Sequence, residues 1–188
     1  MFYDPAQYAF IRRLVESAGR IRDEYYSLNA DILSVHRNKP IAEFFASLEQ
    51  TKNGWTPSWQ VDSAQPNDNW LTYVVTYGRR FFPEAEQKYP ATRAALDHEA
   101  VRVGGFSLLK ALSIIAPHDH PELGNGILTC HIGIELVPGT SFLNVDDVFE
   151  EERLGKAVVF DGSKRHFALN ASLRDRVVLY VEFDSTKA

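Results

Sequence analysis

The chain has 188 residues, 45% of them hydrophobic, 24% charged and 12% aromatic, with a formal net charge of −5. That length favours one domain able to bury a sizeable core, and the mixture is that of an ordinary globular protein. The negative balance excludes a general nucleic-acid binder, which needs a basic face to displace phosphate counterions.

The opening MFYDPAQYAF lacks a basic stretch followed by an apolar run, so no secretory signal is read there. Asp4-Pro5 is a helix-start signal, a cap residue followed by proline in the first turn. Tyr8, Phe10, Ile11, Leu14, Val15, Ala18 and Ile21 then recur at helical spacing opposite Arg12, Arg13, Glu16, Arg20 and Arg22. The spacing predicts a helix over roughly the first 30 residues. A second short helix is expected from Ile41 to Glu49. Asn53 to Asn69 is rich in Asn, Pro, Ser and Trp and reads as a loop. Its Trp55 and Trp59, with Trp70 just beyond, either overhang a cleft or pin the loop to the body.

Trp70 to Tyr77 is β-branched and aromatic, a strand pattern, and Phe82 to His98 reads as two short helical pieces broken at Pro90. Beyond residue 100 the strand-like runs are Val101 to Ala116, Gly126 to Val137, Ala157 to Phe160 and Arg176 to Phe183. Prolines and glycines such as Pro117, Pro121, Gly126, Pro138-Gly139 and Gly162 punctuate them. Closely spaced strands with turn signals between them predict a jelly-roll sandwich or barrel. The expected class is therefore α+β with a mainly β core. Residues 1–69, helical and loop-like, pack on a β core of residues 70–184 in one domain spanning 1–188. No run reaches the roughly 18–20 apolar residues of a membrane span. Cys130, without a second cysteine, fits a reducing compartment. The expectation is a soluble, cytoplasmic chain with no membrane or nucleic-acid partner, so the Asn170-Ala171-Ser172 sequon is set aside.

Four of the six histidines lie in the β-rich half: His118, His120, His131 and His166. His118-Asp119-His120-Pro121 follows a strand ending at Ala116-Pro117, and His166 follows the turn Asp161-Gly162-Ser163-Lys164, 48 positions after His118. A jelly roll can bring residues so far apart together at its mouth, and two imidazoles leave open positions on an iron ion, as oxygen chemistry requires. Scattered histidines are more often surface or core residues, so spacing alone leaves the metal site open.

Residues of about 70–184 resemble the aspartyl/asparaginyl β-hydroxylase family, iron(II)/2-oxoglutarate oxygenases with a double-stranded β-helix (jelly-roll, cupin-like) core. The resemblance is carried by Ala116-Pro117-His118 with Pro121, by Cys130-His131-Ile132-Gly133-Ile134, by Phe160-Asp161-Gly162-Ser163 before His166, and by Asn170 and Arg176-Val177-Val178-Leu179. It implies His118 and His166 as iron ligands. Registering the first ligand on His120 instead would offer Glu122 as a carboxylate ligand, but would lose the agreements at Pro117, Pro121 and Ser107. His120 stands where many oxygenases carry Asp or Glu; it is a candidate third ligand, with a non-ligand role preferred.

The resemblance further implies that Arg176 grips the distal carboxylate of 2-oxoglutarate, helped by His131 and by the Ser107 hydroxyl. A planar fork suits a carboxylate better than lysine does. Read from the residues alone, Arg176 heads an apolar strand, where a guanidinium is paired or else faces water at the strand edge. A second family arginine is replaced by Thr129, which leaves fewer charged contacts for that acid. The implied activity is hydroxylation with release of succinate and CO2; a halogenase, a three-histidine dioxygenase and a non-catalytic cupin-type binding module are the alternatives. A small substrate is expected: an amino acid, a peptide Asp or Asn side chain, or an acyl metabolite. Arg79-Arg80, Lys110 and Arg165 are candidate contacts for an anionic group, more commonly solvated surface charges, and Tyr77, Gly78 and Arg79, which resemble a family segment near the cleft, are weaker candidates.

Overall fold

The computed structural model describes residues 1–34, 41–50, 53–59 and 66–188. In chain order the strands and helices are β1 (Phe2–Tyr3), α1 (Ala9–Tyr26), α2 (Ile41–Gln50), β2 (Thr56–Trp59), β3 (Pro66–Tyr77), β4 (Arg80–Phe81), α3 (Pro83–Lys88) and α4 (Pro90–Leu96). Then follow β5 (Val101–Leu109), β6 (Ser113–His118), β7 (Ile127–Glu135), β8 (Ser141–Val145), β9 (Val148–Glu151), β10 (Ala157–Phe160), β11 (His166–Asn170) and β12 (Arg176–Asp184).

Strands β5 to β12 form a double-stranded β-helix. Four of them lie in a large sheet in the order β10-β7-β12-β5, and four form the facing sheet in the order β6-β11-β8-β9. The large sheet is extended by β1 beside β10 and by β3, β2 and β4 beyond β5. The pairs between these strands are antiparallel.

Asp4 does cap a helical turn, accepting the Ala6 N–H at 2.9 Å, but that turn is a single 3-10 piece, Pro5–Gln7. Extended backbone at Tyr8 (φ −115, ψ 104) ends it, and α1 starts afresh at Ala9. Its apolar stripe, Phe10, Ile11, Leu14, Ala18 and Ile21, is buried against the large sheet. At its C-terminal end the Glu24 carboxylate accepts the backbone N–H groups of Ala91 (2.6 Å) and Thr92 (2.8 Å), satisfying orphan donors at the start of α4.

Two expectations need correction. The stretch from Asn53 to Asn69 is not all loop: β2 and the start of β3 pair with each other, Thr56 opposite Thr72 and Trp59 opposite Pro66. Pro57 is tolerated because β2 is an edge strand; residues 60–65 of the expected loop lie outside the described residues. The run from Val101 to Ala116 is two strands in different sheets. Leu112, at φ 50, reverses the chain between β5 and β6. A further turn, between β8 and β9, carries no glycine or proline signal in the sequence. It places both Asp146 (φ 48) and Asp147 (φ 65) in left-handed conformation, the geometry of a two-residue turn matched to the twist of a hairpin.

Strand alternation sorts the side chains. Along β7, Leu128, Cys130, Ile132 and Ile134 join the core under α1, while Thr129 and His131 face the space between the sheets. That inner space is partly filled by Leu109, Ile115, Leu143, Val145, Val158, Phe160 and Ala168. Phe44, Phe45 and Leu48 of α2 pack with Val74 and Phe82. Asn170 is 2% exposed. Its amide bonds the carbonyls of Leu109, Lys110 and Arg174, so as folded it offers no glycosylation acceptor.

Candidate metal centre

His118 ends β6 and His166 begins β11, and the two strands pair so that these residues are direct cross-strand partners. Their ring centroids are 4.3 Å apart. Each imidazole donates Nδ1–H to a carbonyl two residues earlier, His118 to Ala116 at 2.8 Å and His166 to Lys164 at 2.7 Å. These bonds set the tautomer and put the lone pair a metal would take on Nε2. Burial first, then the neighbouring His118, pushes the His166 pKa down to about 3. The ring is therefore neutral at ordinary pH, as a ligand must be.

His120 completes a cluster with His118 and His166 in which one ligand atom from each lies within 4.8 Å of the others. Its Nδ1 is 3.1 Å from Glu122 Oε1. Its backbone N–H donates to the Gly162 carbonyl at 3.0 Å, tying the loop after β6 to the turn before His166. That turn is held by Asp161, whose Oδ1 accepts the N–H (3.0 Å) and hydroxyl (2.6 Å) of Ser163. A side chain at Gly162 would meet Thr129 Oγ1 at 2.9 Å and Leu123 Cδ1 at 3.0 Å, so a larger residue there would push those two side chains aside. The structure thus groups the two expected ligands with His120; Glu122 stands beside His120, outside the triad.

The cluster opens on a cavity of about 380 Å³ between the sheets. Phe44, Phe45, Trp70, Phe106, Phe160 and Tyr180 form much of its wall. Ser107 and His131 line it too, and the Ser107 hydroxyl accepts the Trp70 indole N–H at 3.1 Å. Trp55, by contrast, is buried against Tyr73 in the core, and the Trp59 side chain lies outside the described residues. Among the described residues the only charged side chains on the lining are Glu122 and Glu182. Tyr77, Gly78, Arg79, Arg80, Lys110 and Arg165 do not line it, and Arg80 pairs instead with Glu49 at 3.2 Å.

Arg176 is neither a water-facing edge residue nor part of the cavity wall. It is 0% exposed, the largest fully buried side chain. Its Nε donates to Glu152 Oε2 at 2.8 Å and its Nη2 donates to Glu152 Oε1, a two-bond fork on a carboxylate from within the chain. The same carboxylate accepts His131 Nδ1–H at 2.8 Å and the Ser141 hydroxyl at 2.7 Å. Because Nδ1–H and the guanidinium are both donors, their 3.2 Å approach is a shared turn toward Glu152 rather than a bond. Arg176 Nη1 and Thr129 Oγ1 have no hydrogen-bond partner among the described residues.

Burial would raise the Glu152 carboxyl. The Arg176 guanidinium and the His131 hydrogen bond outweigh it and hold the group well below the ordinary carboxylate range. His131 is pushed down, chiefly by burial, and is neutral. Glu152 reaches this place because its backbone crosses β7 at Gly133. There Gly155 N–H donates to the Gly133 carbonyl at 2.8 Å, and a Cβ on residue 133 would meet the Arg153 carbonyl oxygen at 2.3 Å. Sequence reasoning required a partner for Arg176 but missed Glu152; the only local signal was acidic residues at 150–152 running into Gly155.

A family model described as aspartyl/asparaginyl beta-hydroxylase matches residues 17–186. Among solved structures, the chain is similar to the Cupin_2 domain of an XRE family transcriptional regulator from Enterobacter cloacae (15% identity, covering 62% of this chain and 97% of that one, TM-score 0.41). It is similar also to KdgF from Halomonas sp. (10%, 71% and 87%, 0.44). A third is a double-stranded β-helix domain protein from Klebsiella pneumoniae subsp. pneumoniae (13%, 66% and 84%, 0.42). No curated protein matches the chain.

Proposed function

The chain belongs to the aspartyl/asparaginyl β-hydroxylase family, and we propose that it is an iron-dependent hydroxylase acting on a small, largely apolar substrate. The observation that carries this reading is the close grouping of His118, His120 and His166 at one aromatic cavity.

The donor set fits iron. Neutral imidazole nitrogens suit Fe(II), and three of them leave coordination positions for oxygen and a second ligand. Bound there, iron supplies the oxygen activation that no side chain of the cavity provides. The protein's own part is to hold and orient. Carbonyl groups of Ala116 and Lys164 fix two ligand rings. The aromatic wall excludes water and seats an apolar body of substrate. Ser107, aligned by Trp70, and His131, aligned by Glu152, offer a hydroxyl and an imidazole for orienting a polar end.

The fit to the family's cosubstrate is different. Ser107 and His131 line the cavity as a 2-oxoglutarate site would need, but the guanidinium expected to hold its far carboxylate already holds Glu152. The residues present fit iron and do not fit that second carboxylate, so no step is assigned to 2-oxoglutarate. The grip on Glu152 favours a second reading, a three-histidine oxygenase that works without that acid.

Both readings are tested by loading the purified protein with Fe(II) under nitrogen, admitting oxygen with a panel of small aromatic and aliphatic substrates, and measuring product masses. Products are heavier by one oxygen atom, as hydroxylation with a keto acid as reductant gives, or by two, as dioxygenation without a reductant gives. Parallel arms with and without 2-oxoglutarate, followed by succinate release, separate the two. The expected result is iron-dependent product that disappears in His166→Ala. Stable iron binding with no product in either arm would leave a binding module and overturn the hydroxylase reading.

A further inference from the structure

We infer that Glu152 fills the carboxylate place on Arg176 from within the chain, and that the acid facing the metal here is a keto acid with an apolar tail where 2-oxoglutarate has its second carboxylate. The second half of this rests on the reading of His118, His120 and His166 as a metal centre; the first half does not.

Three independent features converge on it. The fork of Arg176 is used up on both oxygens of Glu152, and the assembly is closed around by His131 and Ser141. One guanidinium nitrogen, Nη1, lacks a partner among the described residues, but a second carboxylate on it would sit beside that of Glu152 and be repelled. The described lining of the cavity offers no replacement. It has no lysine or arginine, carries Glu122 and Glu182, and is otherwise dominated by aromatic rings. At Thr129, where the family resemblance leads one to expect a further arginine, a small neutral side chain stands instead, with its hydroxyl unpartnered among the described residues. An acid entering this cavity meets the histidine cluster at one end and, beyond it, aromatic wall with neutral polar groups at Ser107, Thr129 and His131. Among the described residues no cation compensates the desolvation of a second charge there.

The plug is also built rather than incidental. Gly133 admits the backbone of residues 153–155 against β7, and the Glu152 backbone N–H donates to the Ser141 carbonyl at 3.0 Å. Both ends of the residue are therefore fixed by the barrel, and displacement by an outside carboxylate would have to undo the crossing as well as the ion pair.

The test compares 2-oxoglutarate with 2-oxopentanoate, which ends in a methyl group where the former ends in a carboxylate. Calorimetry on the protein loaded with redox-inert Zn(II) is expected to show 2-oxopentanoate binding at least as tightly. A preference of about tenfold or more for 2-oxoglutarate, the factor one charge-assisted hydrogen bond confers, overturns the inference. Absence of binding by both acids overturns its second half. In the metal-free protein, millimolar succinate is expected to leave the melting temperature unchanged, and a rise would mean that Arg176 is open to outside carboxylates. This arm stands even if no metal binds, an outcome that would sink the hydroxylase reading and the second half of the inference and leave the first half to be decided here. Glu152→Ala should invert both results, with succinate raising its melting temperature and 2-oxoglutarate outbinding 2-oxopentanoate. If that variant does not fold, the wild-type comparisons still decide.

Discussion

Replacing Arg176 with methionine isolates the buried pair that supports the site. The wild-type guanidinium is 0% exposed and makes both arms of its fork to Glu152. Methionine keeps an unbranched apolar stem but removes every donor, leaving Glu152 buried with only His131 and Ser141 against it. Breaking such a pair from one side costs about 3–5 kcal/mol. A chain of this length loses about 2–4 °C of Tm per kcal/mol, so melting at neutral pH should fall by roughly 6–20 °C. Adding Glu152→Gln removes the uncompensated charge while its amide oxygen still accepts from His131 and its NH2 can donate to the Ser141 hydroxyl, and the double variant should regain most of the loss. The pH dependence adds a sign. Glu152 titrates below its ordinary value of 4.5 in the folded protein, because Arg176 and His131 outweigh the effect of burial. A depressed folded pKa gives stability that is fully present above the unfolded value and is lost as pH falls through the folded one. The wild type therefore loses this contribution on acidification below about pH 4.5. In Arg176→Met the carboxyl, left to burial, takes up its proton at higher pH, so the gap in Tm narrows as the solution is acidified. Calorimetric melts of the three proteins across this range are the assay. A single variant within about 2 °C of wild type at neutral pH, less than one kcal/mol, would refute the pairing.

Gly133→Ala should destabilise by about 1–3 kcal/mol through overpacking, since the new Cβ meets the Arg153 carbonyl oxygen at 2.3 Å. It should also loosen Glu152, read as faster amide hydrogen exchange at residues 152–155; unchanged exchange there would separate the crossing from the pair. Asn170→Ala removes a brace on three carbonyls and should cost about 2–3 kcal/mol, or roughly 4–12 °C in a thermal melt. His120→Ala distinguishes ligand from neighbour: if its imidazole is a ligand, Zn(II) affinity by competition with a chelator should drop by more than about a hundredfold, beyond the roughly 10–100-fold that losing a neighbour of the ligands costs. An unchanged affinity would reduce the centre to His118 and His166.

Local pattern was enough for α1, whose stripe from Phe10 to Ile21 recurs at helical spacing, and for the breaks at Pro90 and Gly162, because those signals act over a few residues. The short strands β8, β9 and β11 escaped, since runs of four or five mixed residues carry little periodicity of their own. His118 and His166 were picked out by the residues around them, but only the antiparallel register of β6 and β11 sets one opposite the other and brings His120 between their loops. The sequence by itself determined that Arg176, at the head of an apolar strand, must either find a partner or face water. Which of the 25 acidic residues would be that partner was decided by the tertiary structure, through a chain crossing at Gly133 that places Glu152 beside it. The need for neutralisation is a property of the residue and its burial. The choice of partner depends on the distances between residues remote along the chain, and these exist only once the strands have paired.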